Sequence, residues 1–227
     1  MKLLSLITLL ISAATSTTAS ISGCDDGITC TQITTNDLTF DCRTSGSSND
    51  NKGNVMLLHG FPEWSSMYMP LMRRLADEGY YSVACNLRGY SPTASPEGEE
   101  NYNYNLLKDD VFALASTAFG DSTPFHLIGH DHGGILGWFV AAEGGKNKLL
   151  SYASLSSPHP DAFSDGLYGE LADIKQVEAS QYFTMFILQD SATIEHSLWW
   201  YTLGLTAQTK YGEKFEDAAA FQKSLWW

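Results

Sequence analysis

Short apolar runs alternate with longer segments of helical spacing as far as residue 155. Thr31 to Arg43 holds two short β-compatible pieces around Thr35-Asn36-Asp37, and Ser45 to Gly53 is a polar, Gly/Ser/Asn-rich turn. Asn54-Val55-Met56-Leu57-Leu58-His59 carries a continuous apolar run between its two polar ends, the mark of a strand covered on both faces. Met67 to Leu75 has helical spacing, and Tyr80 to Cys85 reads as a second short buried strand. After a Pro- and Glu-containing loop (Ser91 to Glu100), Leu106 to Phe119 is amphipathic, Phe125 to Ile128 is strand, Ile135 to Ala142 is helix and Leu149 to Leu155 is strand. Strands separated by helices at this rhythm predict a parallel α/β sheet.

From Ser156 the rhythm changes. Ser157-Pro158-His159-Pro160 breaks the alternation, and the chain to Trp227 reads as helical and aromatic. Such a segment is expected to lie over the carboxyl ends of the strands, where α/β proteins bind ligands.

One stretch organises the rest. Phe125 to Ile128 runs into Gly129-His130-Asp131-His132-Gly133-Gly134, and a helix-compatible segment follows. Strand, sharp turn and helix place the central side chain at the end of the strand and the start of the helix, and small flanking residues let neighbouring backbone pass close by. The spacing is Gly-x-nucleophile-x-Gly, with Asp131 where Ser is more usual. Two other readings compete: Asp131 as a simple N-cap, and His126, His130, Asp131 and His132 as metal ligands. The spacing opposes metal, because His130 and His132 alternate across extended backbone and no later Cys/His/Asp cluster completes a site.

Composition narrows the setting. The 227 residues are 44% hydrophobic and 17% charged, which is globular composition. A net charge of −13 makes nucleic acid and anionic membrane poor partners. Lys2 followed by Leu3 to Ile11 and a Ser/Thr/Ala stretch to Ser20 reads as a secretory signal over 1–20. No apolar stretch is long enough to span a bilayer. In an oxidising compartment Cys24, Cys30 and Cys42 are candidates for one disulfide, with Cys24 and Cys30 closing a small loop, while Cys85 is expected to be a buried free thiol.

Four motifs follow four successive strands: Leu58-His59-Gly60-Phe61-Pro62-Glu63, Leu87-Arg88-Gly89-Tyr90, Gly129-His130-Asp131-His132-Gly133, and Leu155-Ser156-Ser157-Pro158. In this order they resemble the α/β-hydrolase superfamily, and within it the epoxide-hydrolase-like group that also contains dehalogenases. The resemblance covers roughly Asn54 to Phe186. It implies an α/β-hydrolase core over 21–157 and part of an inserted helical cap over 158–227, incomplete at the C-terminus. It also implies Asp131 as a covalent nucleophile, backbone oxyanion donors at Phe61 and His132, and Tyr182 as a cap proton donor. His59, Gly60, Pro62, Gly129 and Gly133 are then structural parts of the motifs, and Arg88 and Tyr90 loop architecture. No cofactor or metal is implied, and the substrate is a small apolar electrophile such as an epoxide. Glu63 leans the same way.

The pattern departs from the resemblance in one respect. The acid and the histidine of the triad would follow the cap, and nothing after Asp131 replaces them: His159 and His196 lie in or beside the cap. A truncated copy that is inactive as it stands is the expectation. A dehalogenase-type hydrolase and a non-catalytic binding protein on the same fold stay open.

Overall fold

The computed structural model describes residues 23–49, 51–170 and 172–183. The strands are β1 (Thr29–Thr35), β2 (Leu38–Ser45), β3 (Asn54–Leu58), β4 (Tyr81–Cys85), β5 (Phe125–His130) and β6 (Leu149–Leu155). They form one sheet in the order β1-β2-β4-β3-β5-β6. The last four of that order run parallel, and β1 and β2 join antiparallel at one side. The β1–β2 hairpin turns through Asn36 and Asp37, both at positive φ, the geometry that a two-residue hairpin matched to strand twist requires.

The helices are α1 (Met69–Asp77), α2 (Tyr104–Phe119), α3 (His132–Lys148), α4 (Pro160–Tyr168) and α5 (Ile174–Ala179). Helix α2 begins before the apolar spacing does, because the Asn103 side chain caps it by accepting from Leu106 N–H at 3.1 Å. Helix α3 begins directly after Asp131 and is broken near its end by Gly145, which has non-helical angles.

Alternation along β3 sorts the core into two layers. Val55 and Leu57 pack with Ile28, Tyr68, Met72 and Ala84 on the α1 side. Met56 and Leu58 pack with Phe40, Val83, Val111, Leu114, Leu127, Leu136 and Val140 on the side of α2 and α3. This two-sided cover is why β3 reads as continuously apolar. Strand β6 differs: Leu150 and Leu155 are 55% and 44% exposed, so it is a half-covered strand.

Two disulfides are present. Cys24–Cys30 closes the small loop before β1. Cys42–Cys85 joins β2 to β4, so the expected free thiol at Cys85 is corrected. The register of the antiparallel pair places Cys42 directly opposite Cys85, a relation that only the pairing of distant strands creates.

Two buried polar contacts tie the loops that leave the strands. The His59 ring is fully buried between the ends of β3 and β4: Nδ1 donates to Gly60 O at 2.9 Å, and Nε2 accepts from Leu87 N–H at 2.9 Å. Burial holds its pKa down to about 3, so it is neutral and fully engaged. Arg88 makes a buried bidentate pair with Asp110 of α2, at 2.7 and 2.8 Å, and Asn36 donates to the same carboxylate at 3.0 Å.

Two outcomes are expected from these contacts. Because the folded pKa of His59 lies below its unfolded value, the unfolded chain takes up the proton first. Its contribution to stability is therefore present above pH 6.5 and is lost as pH falls toward about 3, with a slope of at most about 1.4 kcal/mol per unit. Denaturant titrations of wild type and His59→Asn at several pH values should differ in that slope; identical slopes would place His59 in solvent. Asp110→Ala, which strands the buried Arg88 guanidinium, should lower unfolding free energy by about 3–5 kcal/mol. Urea unfolding measures it, and a loss no larger than that of a surface carboxylate would show that the pair is not buried in solution.

Candidate active site

The ends of β3, β5 and β6 converge on Asp131. Its backbone lies at φ 52°, ψ −120°, a sparsely populated region for a residue with a side chain, and such strain typically costs about 1–3 kcal/mol. The surroundings hold it there. Asp131 N–H donates to Leu155 O at 3.0 Å, at the end of β6. Its carbonyl accepts from Gly134 and Ile135 N–H at 2.9 and 3.0 Å and from Ser157 Oγ at 2.6 Å.

The glycines on either side are sterically required. A Cβ on Gly133 would strike the carbonyls of Leu58 and His59, and one on Gly129 would strike the Gly133 carbonyl. A Cβ on Gly60 would sit 2.5 Å from Asp131 Cβ and 2.9 Å from His130 O. The loop after β3 thus lies directly against the elbow, and Phe61 N–H donates to Asp131 Oδ1 at 2.9 Å. Pro62 follows in the same turn, after a cis peptide bond, and Glu63 N–H closes it on Gly60 O at 3.1 Å. His132 is the first residue of α3, and the first-turn N–H groups of a helix have no acceptor within it. Its ring rests against Tyr104 at 5.5 Å, and burial lowers its pKa, opposed by the Asp131 charge.

The sequence-derived residues of the elbow and the oxyanion loop therefore meet in one place: Asp131, Phe61, Gly60, Pro62, Gly129, Gly133 and His132, with His59 beneath. Tyr182 follows α5, its ring stacks on Phe183 at 4.4 Å, and Phe183 meets Phe163 of α4 at 5.9 Å. His159 caps α4, where Nδ1 accepts from Asp161 N–H at 3.2 Å, and its ring packs on Trp138 at 4.9 Å. His196 lies outside the described residues.

Three imidazoles of the His-rich stretch go to three different places. His126 Nδ1 is 2.8 Å from Ser151 Oγ, His130 Nδ1 is 3.1 Å from Glu63 Oε2, and His132 packs on Tyr104. No group of three His, Cys, Asp or Glu side chains among the described residues could hold a metal ion.

Two phenols stand near the carboxylate: Tyr90, expected only as loop architecture, and Tyr104, which belongs to none of the motifs. Tyr90 stands edge-on to His59 at 4.7 Å, and Tyr104 stacks on Phe139 at 4.6 Å. Burial, and then the Asp131 carboxylate, raises the pKa of both, so they remain protonated walls beside the carboxylate. A Tyr after a Gly turn and a Tyr at a helix start carry no sequence signal for this, because their nearness to Asp131 comes from the crossing of separate elements.

The sequence profile of the alpha/beta hydrolase fold matches residues 53–199. An epoxide hydrolase 3 of Xenopus tropicalis is 34% identical over 135 residues, 59% of this chain and 35% of that protein. A fluoroacetate dehalogenase of a Burkholderia species is 35% identical over 123 residues, 52% of this chain and 38% of that one. A solved epoxide hydrolase of the α/β-hydrolase superfamily, from metagenomes of hot environments, superposes with a TM-score of 0.62 at 29% identity, covering 72% of this chain and 52% of its own. The chain spans less than half the length of the curated relatives it matches. With this sheet, this elbow and a profile matching most of its length, the chain belongs to the α/β-hydrolase fold family.

Proposed function

We propose that the protein is an epoxide-hydrolase-type enzyme in which Asp131 is the nucleophile of a two-step reaction. The observation that carries the reading is the Asp131 carboxylate on a strained elbow, with Oδ1 receiving the Phe61 N–H at 2.9 Å. That bond leaves Oδ2 for in-line attack on an epoxide carbon. The new C–O bond forms as the ring C–O bond breaks, and the leaving oxygen takes a proton from a phenol of the cap, the role assigned to Tyr182. The product of this step is an alkyl ester on Asp131. Water then attacks the ester carbonyl, and the oxyanion is met by the Phe61 N–H and the His132 N–H. Preorganised donors of this kind typically contribute about 3–4 kcal/mol each. Collapse releases a diol that carries one oxygen from Asp131. The triad acid and histidine have no counterpart among the described residues, so the base for the second step is not assigned to a side chain.

A dehalogenase is the second reading, favoured by the relative of that name. It uses the same carboxylate and the same ester, with halide in place of alkoxide. A pocket-bearing protein without turnover would bind but form no ester.

The test is mass spectrometry of the purified protein after exposure to a reactive epoxide or to a haloacetate. Wild type should gain the mass of one epoxide on the peptide holding Asp131, and Asp131→Asn should gain none there. Modification by haloacetate alone would select the dehalogenase reading, and equal labelling of both variants would sink the nucleophile. Where turnover occurs in heavy-oxygen water, the first diol released should carry ordinary oxygen from Asp131.

Export through the secretory pathway belongs to the same proposal. Two disulfides among the described residues fit an oxidising compartment. Protein recovered from outside the cell should begin near residues 18–21 on N-terminal sequencing, and an intact Met1 on cytosolic protein would contradict it.

A further inference from the structure

The turn after β3 reaches the elbow twice. Phe61 N–H donates to Asp131 Oδ1 at 2.9 Å, and two residues later Glu63 Oε2 lies 3.1 Å from Nδ1 of His130, the residue just before Asp131. Between these two anchors the turn is closed by Glu63 N–H on Gly60 O. Phe61, at the tip of the turn, is 37% exposed. The Glu63 and His130 side chains are 28% and 29% exposed, enough shielding for their attraction to exceed that of a surface pair.

Four ionisable groups face His130: Glu63 on the turn, Asp131 on its own elbow, His59 at the end of β3 and Tyr68 before α1. His59 is kept neutral by burial, and Tyr68 is kept protonated by burial, so neither brings charge near neutral pH. The two carboxylates remain. The hydrogen bond to Glu63 is the largest influence on His130 and raises its pKa, against burial; Asp131 adds to the rise.

We propose that Glu63 and His130 form a latch that positions the Phe61 N–H on Asp131, so that engagement of this oxyanion donor follows the charge on His130. Its catalytic meaning rests on the reading of Asp131 as the nucleophile. Glu63 and His130 are positioning residues, acting through the turn. Because the folded pKa of His130 is raised, the charged latch is complete below the ordinary imidazole value and weakens as pH rises through the raised one. Deprotonation leaves a neutral imidazole N–H on the Glu63 carboxylate in place of an ion pair, so this anchor of the turn weakens.

The test is NMR of the full chain from about pH 5 to about pH 9, following the His130 ring and the Phe61 amide together. In wild type the Phe61 amide shift should inflect at the pH where His130 titrates. In Glu63→Gln that inflection should move down with His130, and exchange of the Phe61 amide at neutral pH should quicken by about tenfold. Glu63→Asp, which keeps the charge, should restore part of the difference. A Phe61 amide that stays unmoved while His130 titrates overturns the latch. The core amides of Leu57 and Leu127 report folding, and if Glu63→Gln disturbs them, the wild-type titration alone decides. Ester formation at Asp131, read by mass spectrometry, separates the two claims. Linked titration without an ester removes the nucleophile reading and leaves the latch. An ester with an unmoved Phe61 amide removes the latch and leaves the nucleophile.

Discussion

The carbonyl end of β3 passes so close to the start of α3 that no side chain fits between them. Gly133 lies against the carbonyls of Leu58 and His59, Gly129 against the Gly133 carbonyl, and Gly60 against Asp131 itself. This contact lets the Phe61 amide reach a carboxylate seventy positions away in sequence. It also sets the strained angles at Asp131, because a relaxed turn would carry α3 away from β3. The strain persists because four hydrogen bonds, from β6, the loop beyond it and the first turn of α3, fasten the Asp131 peptide. A side chain at any of the three glycines would separate the elements before it altered the chemistry.

The site stands on a polar foundation that the reaction does not touch. His59, neutral and dry, spans the ends of β3 and β4, and the Arg88–Asp110 pair ties the loop after β4 to α2. Leaving such groups unpaired in a dry interior costs more than their bonds contribute, so each pairing specifies one arrangement of the loops. The Cys42–Cys85 bridge fastens the β2–β4 pair from which the second of these loops departs. The carboxylate therefore sits above a layer of fixed donors and acceptors.

Local patterns are what the sequence by itself determined. A continuous apolar run marked β3, a short mostly apolar stretch marked β4, helical spacing marked α1 and α2, and Gly-x-Asp-x-Gly marked the elbow, because each depends on residues a few positions apart. The family motifs likewise carried the assignment to the α/β-hydrolase group. Boundaries were less legible: α2 starts at its Asn103 cap and α3 starts at the elbow, both outside the apolar windows that announced them. What tertiary structure alone decided are relations between distant segments. Cys85 looked like a thiol in a buried strand until antiparallel register set Cys42 opposite it. Glu63 with His130, and Tyr90 and Tyr104 around Asp131, meet only because separate strands end at one edge. A pattern along the chain records which face of an element is buried. Which residue of another element it meets there is a property of packing, and no local spacing encodes it.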